Sequence, residues 1–581
     1  MAETLDGLKV RIRELEKEVE RWKSQVKSVR YGLNWMDVPE AFDKDSEDKI
    51  PILEEVADKA VDAEGPLAGR SPHVIIEGDN YHALTCLNYT HRGKIDVIYI
   101  DPPYNTGTDG FTYKDKRFLT EFPDGQKVPK EHPLRHSYWL SFMEKRLKLA
   151  KNLLSDKGVI FISIDDNEQA NLKLLCDKVF SNDVETFIWR KSGIGRDGKM
   201  KNTTTFRNDH EYILVCYKYR RKLNKSYEIP QWENDYGNPD NDFRGHYKAG
   251  SISRKEEASN PNHENYYSVQ SPSGKIFTRQ FDVPQSEFER LNNDHRIYWG
   301  KKGDAVPAIK IFVNEKRTVT TSSLIDDKSC TTTAGSKELV GIMLNEKIGE
   351  ELRPKPSELV KKIIHLGSQR SSIILDFFAG SGTTLHATLN LNKEDDGIRQ
   401  CILVQQSEGD NNICENITYE RNRRVMCGYT NAKSESVEGL GGSLKYYKTG
   451  FVGKHQSKSA NDADKVELAE KAGCLIALAE NTLETIKVPK AAKGFWQIYS
   501  DNAEKKKRYT CIYHNGDYGK VSDFVAKIDE LRATDKKSKF TVYVFSWNSP
   551  DFFENEFDDL KNIEIKAIPK PILEIYKALN G

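Results

Sequence analysis

Cysteine pairs, long apolar runs and an excess of charge of one sign are all missing from this sequence of 581 residues. Its nine cysteines include no CxxC pair, which argues against a disulfide framework or a zinc ribbon, and free thiols fit a reducing compartment. Lys plus Arg and Asp plus Glu both number 88, so the formal net charge is zero. A nucleic-acid partner therefore needs a locally basic surface, because the whole molecule supplies no attractive field.

Membrane and export signals are absent as well. No stretch approaches the ~20 apolar residues of a membrane span, and the amino terminus, MAETLDGLKVRIRELEKE, is charged where a signal peptide is apolar. We therefore expect a cytoplasmic protein without a membrane contact. With 10% aromatic and 37% hydrophobic residues the chain is expected to fold, and at roughly 150 residues per domain its length suggests about three to four folded units.

The amino-terminal residues 1–35 are predicted to form one helix with a heptad seam. Its apolar residues recur at spacings of three and four, as in a coiled coil. Such a seam needs a partner helix, either in a second subunit or elsewhere in the same chain. The seam consists of Leu5, Leu8, Ile12, Leu15, Val19, Trp22, Val26 and Val29.

From residue 73 onward, short apolar strand candidates alternate with helical patterns, which predicts a largely parallel sheet covered on both faces. The rhythm is lost in a polar stretch and returns near residue 359. The strand candidates are 73–76, 95–100, 159–164, 211–216, 373–375 and 401–404. The predicted organisation is a heptad helix (1–35), a linker (36–72), a first core segment (73–216), an insertion (217–347), a second core segment (348–434) and a small α/β domain (435–581).

A tetrapeptide with two prolines, Asp101-Pro102-Pro103-Tyr104, directly follows one of these strands. Ligands of open parallel sheets bind beyond the carboxyl ends of the strands, where this tetrapeptide lies. Asp101 offers a carboxylate and Pro102 a carbonyl to the exocyclic amine of a nucleobase, and the prolines stiffen the turn. Tyr104 offers a flat face for a base taken out of the helical stack. The alternative is a turn that only ends a strand, with Tyr104 in the core.

The segment 376–384, DFFAGSGTT, is a second strand, turn and helix start. Its glycines let the backbone approach a ligand closely, and the helix amino terminus favours a carboxylate or a phosphate. The third glycine of a dinucleotide fingerprint is missing, and the sequence holds no GxxxxGK[ST] motif. A site for NAD or ATP is therefore disfavoured.

Together these two elements resemble the DNA amino-methyltransferases that use S-adenosylmethionine. The DPPY element precedes the FxGxG element and a long insertion separates them, as in the beta group of that family. Longer segments are similar to successive blocks of the modification subunits of type III restriction-modification systems. These segments are GKIDVIYIDPPYNTG, GVIFISIDDNE, HEYILVCYK, RPKPSELVKKII and ILDFFAGSGTTLHA.

The resemblance implies a Rossmann-like α/β core with an inserted target-recognition domain, which transfers a methyl group from S-adenosylmethionine to adenine N6 in double-stranded DNA. It implies that Asp101, Pro102, Pro103 and Tyr104 form the catalytic pocket. An aspartate in the first position, rather than a serine, favours adenine N6 over cytosine N4. The residues implied to bind the cofactor are Asp79, Asn80, Asp101, Lys355, Pro356, Asp376, Phe378, Gly380, Ser381, Gly382, Thr383 and either Gln405 or Glu408.

The family also implies a homodimer and an ATP-driven restriction partner. Three alternatives stay open: a stand-alone DNA methyltransferase for adenine N6 or cytosine N4, a cytosine-N4 or RNA-base methyltransferase of the same fold, and a DNA-binding specificity subunit without catalysis. No metal site is predicted. His132 and His136 are four residues apart, but Pro133 breaks the helix that a metal pair with this spacing needs.

The heptad seam leads to a first testable prediction. If its partner helix belongs to a second subunit, a chain that lacks residues 1–30 is expected to have half the solution mass of the full chain, because the paired seam is lost. Light scattering of both chains measures this. An unchanged mass would remove the support that this seam gives to self-association.

Overall fold

The computed structural model describes most of the chain between residues 49 and 580. It divides into two compact units, one formed by Met1–Asn224 with Ser322–Gly581 and the other by Lys225–Thr321. The predicted amino-terminal helix lies outside the described residues, apart from position 35. The described residues are 35, 49–107, 117–122, 126–130, 132–181, 184–192, 208–227, 236–313, 315, 318–345, 348–407, 412–431, 433–453, 461–534, 536–546, 563–568 and 570–580.

The strands, in chain order, are β1 (Ile50–Glu55), β2 (Val61–Ala63), β3 (His73–Glu77), β4 (Ile95–Ile100), β5 (Leu154–Ile164), β6 (Glu185–Arg190), β7 (His210–Tyr217), β8 (Ser226–Tyr227), β9 (Tyr247–Ser251), β10 (Tyr266–Gln270), β11 (Ile276–Gln280), β12 (Ile297–Tyr298), β13 (Ala308–Phe312), β14 (Thr318–Val319), β15 (Leu324–Ile325), β16 (Ile373–Asp376), β17 (Gln400–Gln405), β18 (Gly428–Thr430), β19 (Ser436–Glu438), β20 (Gly442–Val452), β21 (Glu484–Thr485), β22 (Trp496–Ser500), β23 (Arg508–Tyr513), β24 (Lys539–Phe545) and β25 (Ile563–Ile568).

The α-helices are α1 (Asn80–Thr90), α2 (Ser137–Leu153), α3 (Gln169–Phe180), α4 (Gln285–Asn293), α5 (Thr332–Met343), α6 (Ile348–Leu352), α7 (Ser357–Gly367), α8 (Thr383–Asp395), α9 (Glu420–Cys427), α10 (Asp462–Lys471), α11 (Gly473–Glu480), α12 (Val521–Thr534) and α13 (Lys570–Asn580). A π-helical turn, Cys414–Tyr419, directly precedes α9. None of the described helices is long and apolar enough to cross a membrane.

A large, mostly parallel sheet forms the centre of the first unit, as predicted. Its order is β1-β20-β3-β17-β16-β4-β5-β7-β6-β15, and β2 pairs with β20. The pairs within β3-β17-β16-β4-β5 are parallel, whereas β7 runs antiparallel to both β5 and β6. The carboxyl ends of β3, β17, β16, β4 and β5 therefore share one edge with the amino end of β7.

Both faces of this sheet are buried, which explains why its strands are apolar throughout. In β4, Ile98 and Ile100 pack into a core beneath α1 and α2, whereas Val97 and Tyr99 pack into a second core beneath α7 and α8. Side chains of a strand point alternately to opposite faces, so one strand serves both cores. The result is a helix, sheet, helix sandwich.

The predicted linker and tail both contribute to this sheet. β1 and β2 lie within the predicted linker 36–72, and β20 lies within the predicted carboxyl-terminal domain, where it pairs with β3 and β1. The buried apolar residues of these strands, such as Ile52 and Leu444, extend the central core. The central sheet therefore extends across two predicted domain boundaries, the one after residue 72 and the one after residue 434.

The remainder of the tail forms its own five-stranded sheet, β21 to β25, with α12 packed on it. The tail also contains two consecutive helices, α10 and α11. α11 and α13 pack against α1, and the Tyr576 hydroxyl donates to the carbonyl of Pro51 at 3.0 Å. This sheet has its own core but shares helices with the central one.

The second unit, Lys225–Thr321, is narrower than the predicted insertion 217–347. Residues 322–345 belong to the first unit, where β15 pairs with β6 and Ile325, Leu339 and Ile342 are buried. The second unit consists of small antiparallel sheets around a mostly aromatic core. That core includes Phe277, Phe281, Phe288 and Trp299.

Candidate active site

The residues predicted to carry chemistry lie along one edge of the central sheet. Asp101 follows β4, Asp376 ends β16 and Gln405 ends β17, and these are three consecutive parallel strands. Asp79 follows β3, which pairs with β17. Strands that are far apart along the chain thus bring the DPPY and FxGxG elements to adjacent positions. This edge is where open α/β sheets bind ligands.

Asp101 is held by an ion pair with Lys355, which is distant in sequence. The Lys355 ammonium lies 2.8 Å from Oδ1 and 2.7 Å from Oδ2 of Asp101. The Tyr104 hydroxyl donates to Oδ1 at 2.7 Å and accepts from Lys355 at 3.0 Å. These charge-assisted hydrogen bonds fix the carboxylate at the end of β4. The resemblance implies a cofactor role for Lys355, whereas the structure places its ammonium on Asp101.

A second carboxylate, Glu211, belongs to the same cluster and was not predicted from the sequence. Its Oε2 lies 3.2 Å from the Tyr104 hydroxyl and 3.5 Å from the Lys355 ammonium, and its Oε1 lies 3.4 Å from Lys191. Glu211 is near the amino end of β7, which reaches this edge because β7 is antiparallel to β5. Glu211 can therefore be assigned to this cluster only when the direction of β7 is known.

Burial and charge act in opposite directions on Lys355. Burial would lower the pKa of its ammonium, but the carboxylates of Asp101 and Glu211 outweigh burial and raise that pKa. Burial and the charge of Asp101 raise the pKa of Tyr104 well above its usual value. Lys355 is therefore a cation and Tyr104 a neutral donor at neutral pH.

The turn after Asp101 is held in place by buried residues and by hydrogen bonds to its backbone and side chains. Pro102 and Pro103 are buried, and the carbonyl of Pro103 accepts a hydrogen bond from the Trp139 indole at 2.7 Å. Asn105 has a positive φ of 57°, and its amide donates to the fully buried Glu168 at 2.6 Å. These contacts restrict the turn that presents Asp101 and Tyr104.

Glu168 also binds His136, one of the two histidines considered above as metal ligands. The His136 ring lies 2.6 Å from Glu168, and this hydrogen bond raises the pKa of His136. Within the described part of the chain, no group of three His, Cys, Asp or Glu side chains is arranged to hold a metal.

The FxGxG element forms a tight turn around Asp376. One oxygen of Asp376 accepts from the backbone N–H of Phe378 at 3.0 Å, and the other accepts from the Thr384 hydroxyl at 2.5 Å. The N–H of Gly380 donates to the Gln405 side chain at 2.7 Å. The predicted residues Asp376, Phe378, Gly380 and Gln405 are thus brought together. Glu408, the alternative to Gln405, lies outside the described residues.

Both glycines of the turn have a left-handed backbone, with φ of 51° at Gly380 and 75° at Gly382. Among the described residues, a Cβ atom added to Gly380 would approach only the carbonyl of Phe378, at 3.9 Å, whereas one added to Gly382 would overlap Asn422 and lie 3.0 Å from the Thr418 carbonyl. Within the described part of the chain, Gly380 therefore faces open space, and Gly382 packs against the protein.

A buried arginine supports this turn. Arg421 donates to the hydroxyls of Ser381 and Thr383 at 3.0 and 2.8 Å and to Glu338 at 2.9 Å. Glu338 also accepts from the hydroxyl and the N–H of Ser357, the first residue of α7. The resemblance implies that Ser381 and Thr383 contact the cofactor; the structure shows their hydroxyls bound by Arg421.

Asp79 and Asn80 connect the end of β3 to the same turn. Asp79 caps α1 by accepting from the N–H of Tyr81 at 2.7 Å, and Asn80 donates to the carbonyl of Phe377 at 2.9 Å. The buried Arg146 donates to Asn80 and lies 3.5 Å from Asp79. Arg146 was missed because an arginine within a helix pattern resembles an ordinary surface residue. Pro356, one residue after Lys355, is buried and occupies the position just before α7.

Comparison with known proteins shows the family to which the chain belongs. The family model of the N6/N4 DNA methylases matches residues 95–426, a span that includes both motif elements. The chain belongs to this DNA methylase family.

Its relatives within the family include subunits of type III restriction-modification enzymes. It is 32% identical over 462 residues to the StyLTI Mod subunit of Salmonella typhimurium, covering 73% of this chain and 68% of that protein. It is 28% identical over 399 residues to the EcoP15I Mod subunit of Escherichia coli, covering 58% of this chain and 59% of that protein. The chain thus spans less than two thirds of the EcoP15I subunit. Among solved structures, the M1.HpyAVI–SAM complex aligns with 60% of this chain and 98% of its own, at 13% identity and a TM-score of 0.28.

The buried Asp376 leads to a prediction about pH. Burial raises its pKa to about 7, so between about pH 4 and 7 the folded protein binds more protons than the unfolded chain, and stability falls as the pH rises. The fall from this group is at most about 1.4 kcal/mol per pH unit. Asp376→Asn removes the titration, so the free energy of unfolding of the variant relative to the natural protein is expected to increase from pH 5 to 7.

Urea unfolding of both proteins at pH 5, 6, 7 and 8 measures this difference. Above pH 7 it is expected to stay constant. A difference that is the same at all four pH values would show that Asp376 is ionised throughout.

Proposed function

We propose that this DNA methylase transfers a methyl group from S-adenosylmethionine to N6 of adenine in double-stranded DNA, as the modification subunit of a type III restriction-modification system. One observation carries the proposal: the Asp101 carboxylate and the Gly380 turn lie beyond neighbouring parallel strands on one sheet edge. A base held at Asp101 and a cofactor held at Gly380 would therefore meet. The Mod subunits similar to this chain support the type III assignment.

The chemistry required of the protein is mainly positioning. The exocyclic amine of adenine is a poor nucleophile because its lone pair is delocalised into the ring. Asp101 and the Pro102 carbonyl would accept its two hydrogens and draw the nitrogen toward tetrahedral geometry. The Tyr104 ring would support the base after it leaves the helical stack. Acceptors that are already oriented cost no reorganisation during the reaction.

The residues of the glycine turn fit the proposed cofactor. The open side of Gly380 leaves room for a ligand against the backbone, and the phenyl ring of Phe378 is partly buried beside Phe142 at 5.9 Å between centroids. Phe378, Gly380 and Gln405 would line the cofactor directly, and Asp79 lies at the end of the next strand. Ser381, Gly382, Thr383 and Asp376 would act by shaping the turn. When bound, the cofactor supplies an electrophilic methyl group.

Adenine is favoured over cytosine by the aspartate at position 101, in agreement with the beta-group resemblance. We propose that the second unit, Lys225–Thr321, recognises the target sequence, since it is inserted between the two halves of the core. A homodimer and an ATP-dependent restriction partner complete the proposal. The amino-terminal heptad seam supports self-association.

Asp101→Ala tests the catalytic role. It removes the carboxylate that would bind the amine, and we expect methyl transfer to fall by at least about 10²- to 10³-fold. Calorimetry is expected to show nearly unchanged binding of S-adenosylmethionine. Transfer is measured with tritiated cofactor and genomic DNA from cells without adenine methylation, and mass spectrometry of the nucleosides identifies the base.

A matched control is Asp165→Ala. Asp165 follows β5, the strand beside β4, and its carboxylate accepts hydrogen bonds from Asn167, so activity is expected to persist. Full activity of Asp101→Ala would contradict the assigned role. Methylcytosine in place of N6-methyladenine would favour the cytosine N4 alternative, and no transfer by the natural chain would favour a specificity subunit without catalysis.

The two glycines test the cofactor site, because their surroundings differ. Gly380→Ala places a methyl group in open space on the proposed cofactor side, and we expect the cofactor dissociation constant to rise about tenfold or more, a loss of ~1.4 kcal/mol. Gly382→Ala overlaps Asn422 and is expected to lower the unfolding temperature more than Gly380→Ala does. Calorimetry and thermal unfolding measure both effects. Unchanged cofactor affinity in Gly380→Ala would move the cofactor away from this turn.

A further inference from the structure

The acceptors of Asp101 are engaged by groups of the protein itself. Both of its oxygens bind the Lys355 ammonium, at 2.8 and 2.7 Å, and Oδ1 also accepts from the Tyr104 hydroxyl at 2.7 Å. An amino group that donates to Asp101 must compete with a cation for the same lone pairs. Lys355 and Tyr104 therefore have to loosen their hold on Asp101 before a target base is bound well.

Glu211 is close enough to accept hydrogen bonds from both donors, the Tyr104 hydroxyl and the Lys355 ammonium. Its Oε2 is 3.2 Å from the Tyr104 hydroxyl and 3.5 Å from the Lys355 ammonium, slightly longer than the corresponding contacts with Asp101. Tyr104 has one hydroxyl proton and can donate it fully to Asp101 or to Glu211, but not to both. The side chains of Glu211 and Lys355 are 14% and 11% exposed, so water replaces neither partner easily.

We propose that Glu211 is a positioning residue that receives the Lys355 ammonium and the Tyr104 hydroxyl when Asp101 accepts the amino group of the target base. This inference depends on the proposed function of Asp101. No covalent bond changes in this step: two hydrogen-bond donors pass from one carboxylate to another.

The surroundings favour movement of Lys355 rather than of Glu211. Glu211 is fixed by the pairing of β7 with β6, where it lies opposite Trp189, and its other oxygen is 3.4 Å from Lys191. Lys355 has a flexible stem, and its ammonium lies 5.1 and 5.6 Å from the rings of Tyr104 and Trp189. A short displacement between the two carboxylates keeps the cation paired throughout, which matters because an unpaired buried charge is costly.

A double-mutant cycle tests the inference. Glu211→Gln keeps the shape of the side chain but removes its charge, so Lys355 stays on Asp101, and we expect kcat to fall about 10- to 100-fold with the KM for S-adenosylmethionine unchanged. Lys355→Gln removes the competing cation; because Lys355 belongs to the active-site cluster, its kcat is expected to fall but to stay measurable, and that kcat is the reference for the second comparison. In the Lys355→Gln background, Glu211→Gln should cost about twofold or less, because no ammonium is left to be received.

The kcat is measured with saturating tritiated S-adenosylmethionine and genomic DNA from cells without adenine methylation. Activity of the natural chain tests the proposed function, and the cycle separately tests Glu211. An equal loss from Glu211→Gln in both backgrounds overturns the inference, as does an inactive Lys355→Gln protein that still binds the cofactor. Should thermal unfolding show that Glu211→Gln is misfolded, Glu211→Ala gives the same comparison.

Glu185→Gln is the matched control. Glu185 lies on β6 and accepts a hydrogen bond from the Tyr217 hydroxyl at the opposite end of β7. The Glu185→Gln variant therefore loses a tyrosine–carboxylate hydrogen bond of the same kind as that between Tyr104 and Glu211, but at a position far from Asp101. Its kcat is expected to stay within about twofold of the natural chain, since surface carboxylate contacts contribute little.

Discussion

The ion pair between Asp101 and Lys355 joins the two halves of the active site. The partners are 254 positions apart in the chain, and the ammonium contacts both carboxylate oxygens. Removing a lysine from water is costly unless a carboxylate compensates for the lost hydration. Two carboxylates do so here, Asp101 from β4 and Glu211 from β7, and together they raise the pKa of Lys355 in spite of its burial. The fold therefore has to close correctly around the insertion for this cluster to form.

The supporting contacts have the same character, since each connects segments that are distant in sequence. Arg421 links the glycine turn to Glu338, and Glu338 links that turn to the first residue of α7, next to Lys355 and Pro356. Asn80 joins the end of β3 to the backbone of Phe377. Buried charged groups with several partners each have few alternative arrangements. The turn that would hold the cofactor is thereby oriented in advance, which is what a reaction limited by positioning requires.

Much of the core could be predicted because its strands are short apolar runs that end at polar turns. β3, β4, β7, β16 and β17 all lie within two residues of their predicted positions. The domain boundaries are harder to predict. The sequence pattern places β20 in a separate domain, although its alternating buried residues complete the central sheet, and it places β15 and α5 in the insertion, although they belong to the first unit. Local periodicity indicates that a segment is a strand or a helix, but not which sheet or core it joins.

The sequence by itself determined the alternation of strands and helices, the two motif elements and the chemistry their residue types allow. Their meaning followed from short-range constraints: prolines that stiffen a turn, glycines that adopt positive φ, and apolar runs that must be buried. Only the tertiary structure decided which charges meet. Glu211 reaches Tyr104 and Lys355 because β7 is antiparallel to β5. Lys355 reaches Asp101 because the chain returns to the core after the insertion, and Arg421 reaches Thr383 because α9 packs behind the glycine turn. Electrostatic partners depend on distance in space, and a linear pattern of residues carries no record of that distance.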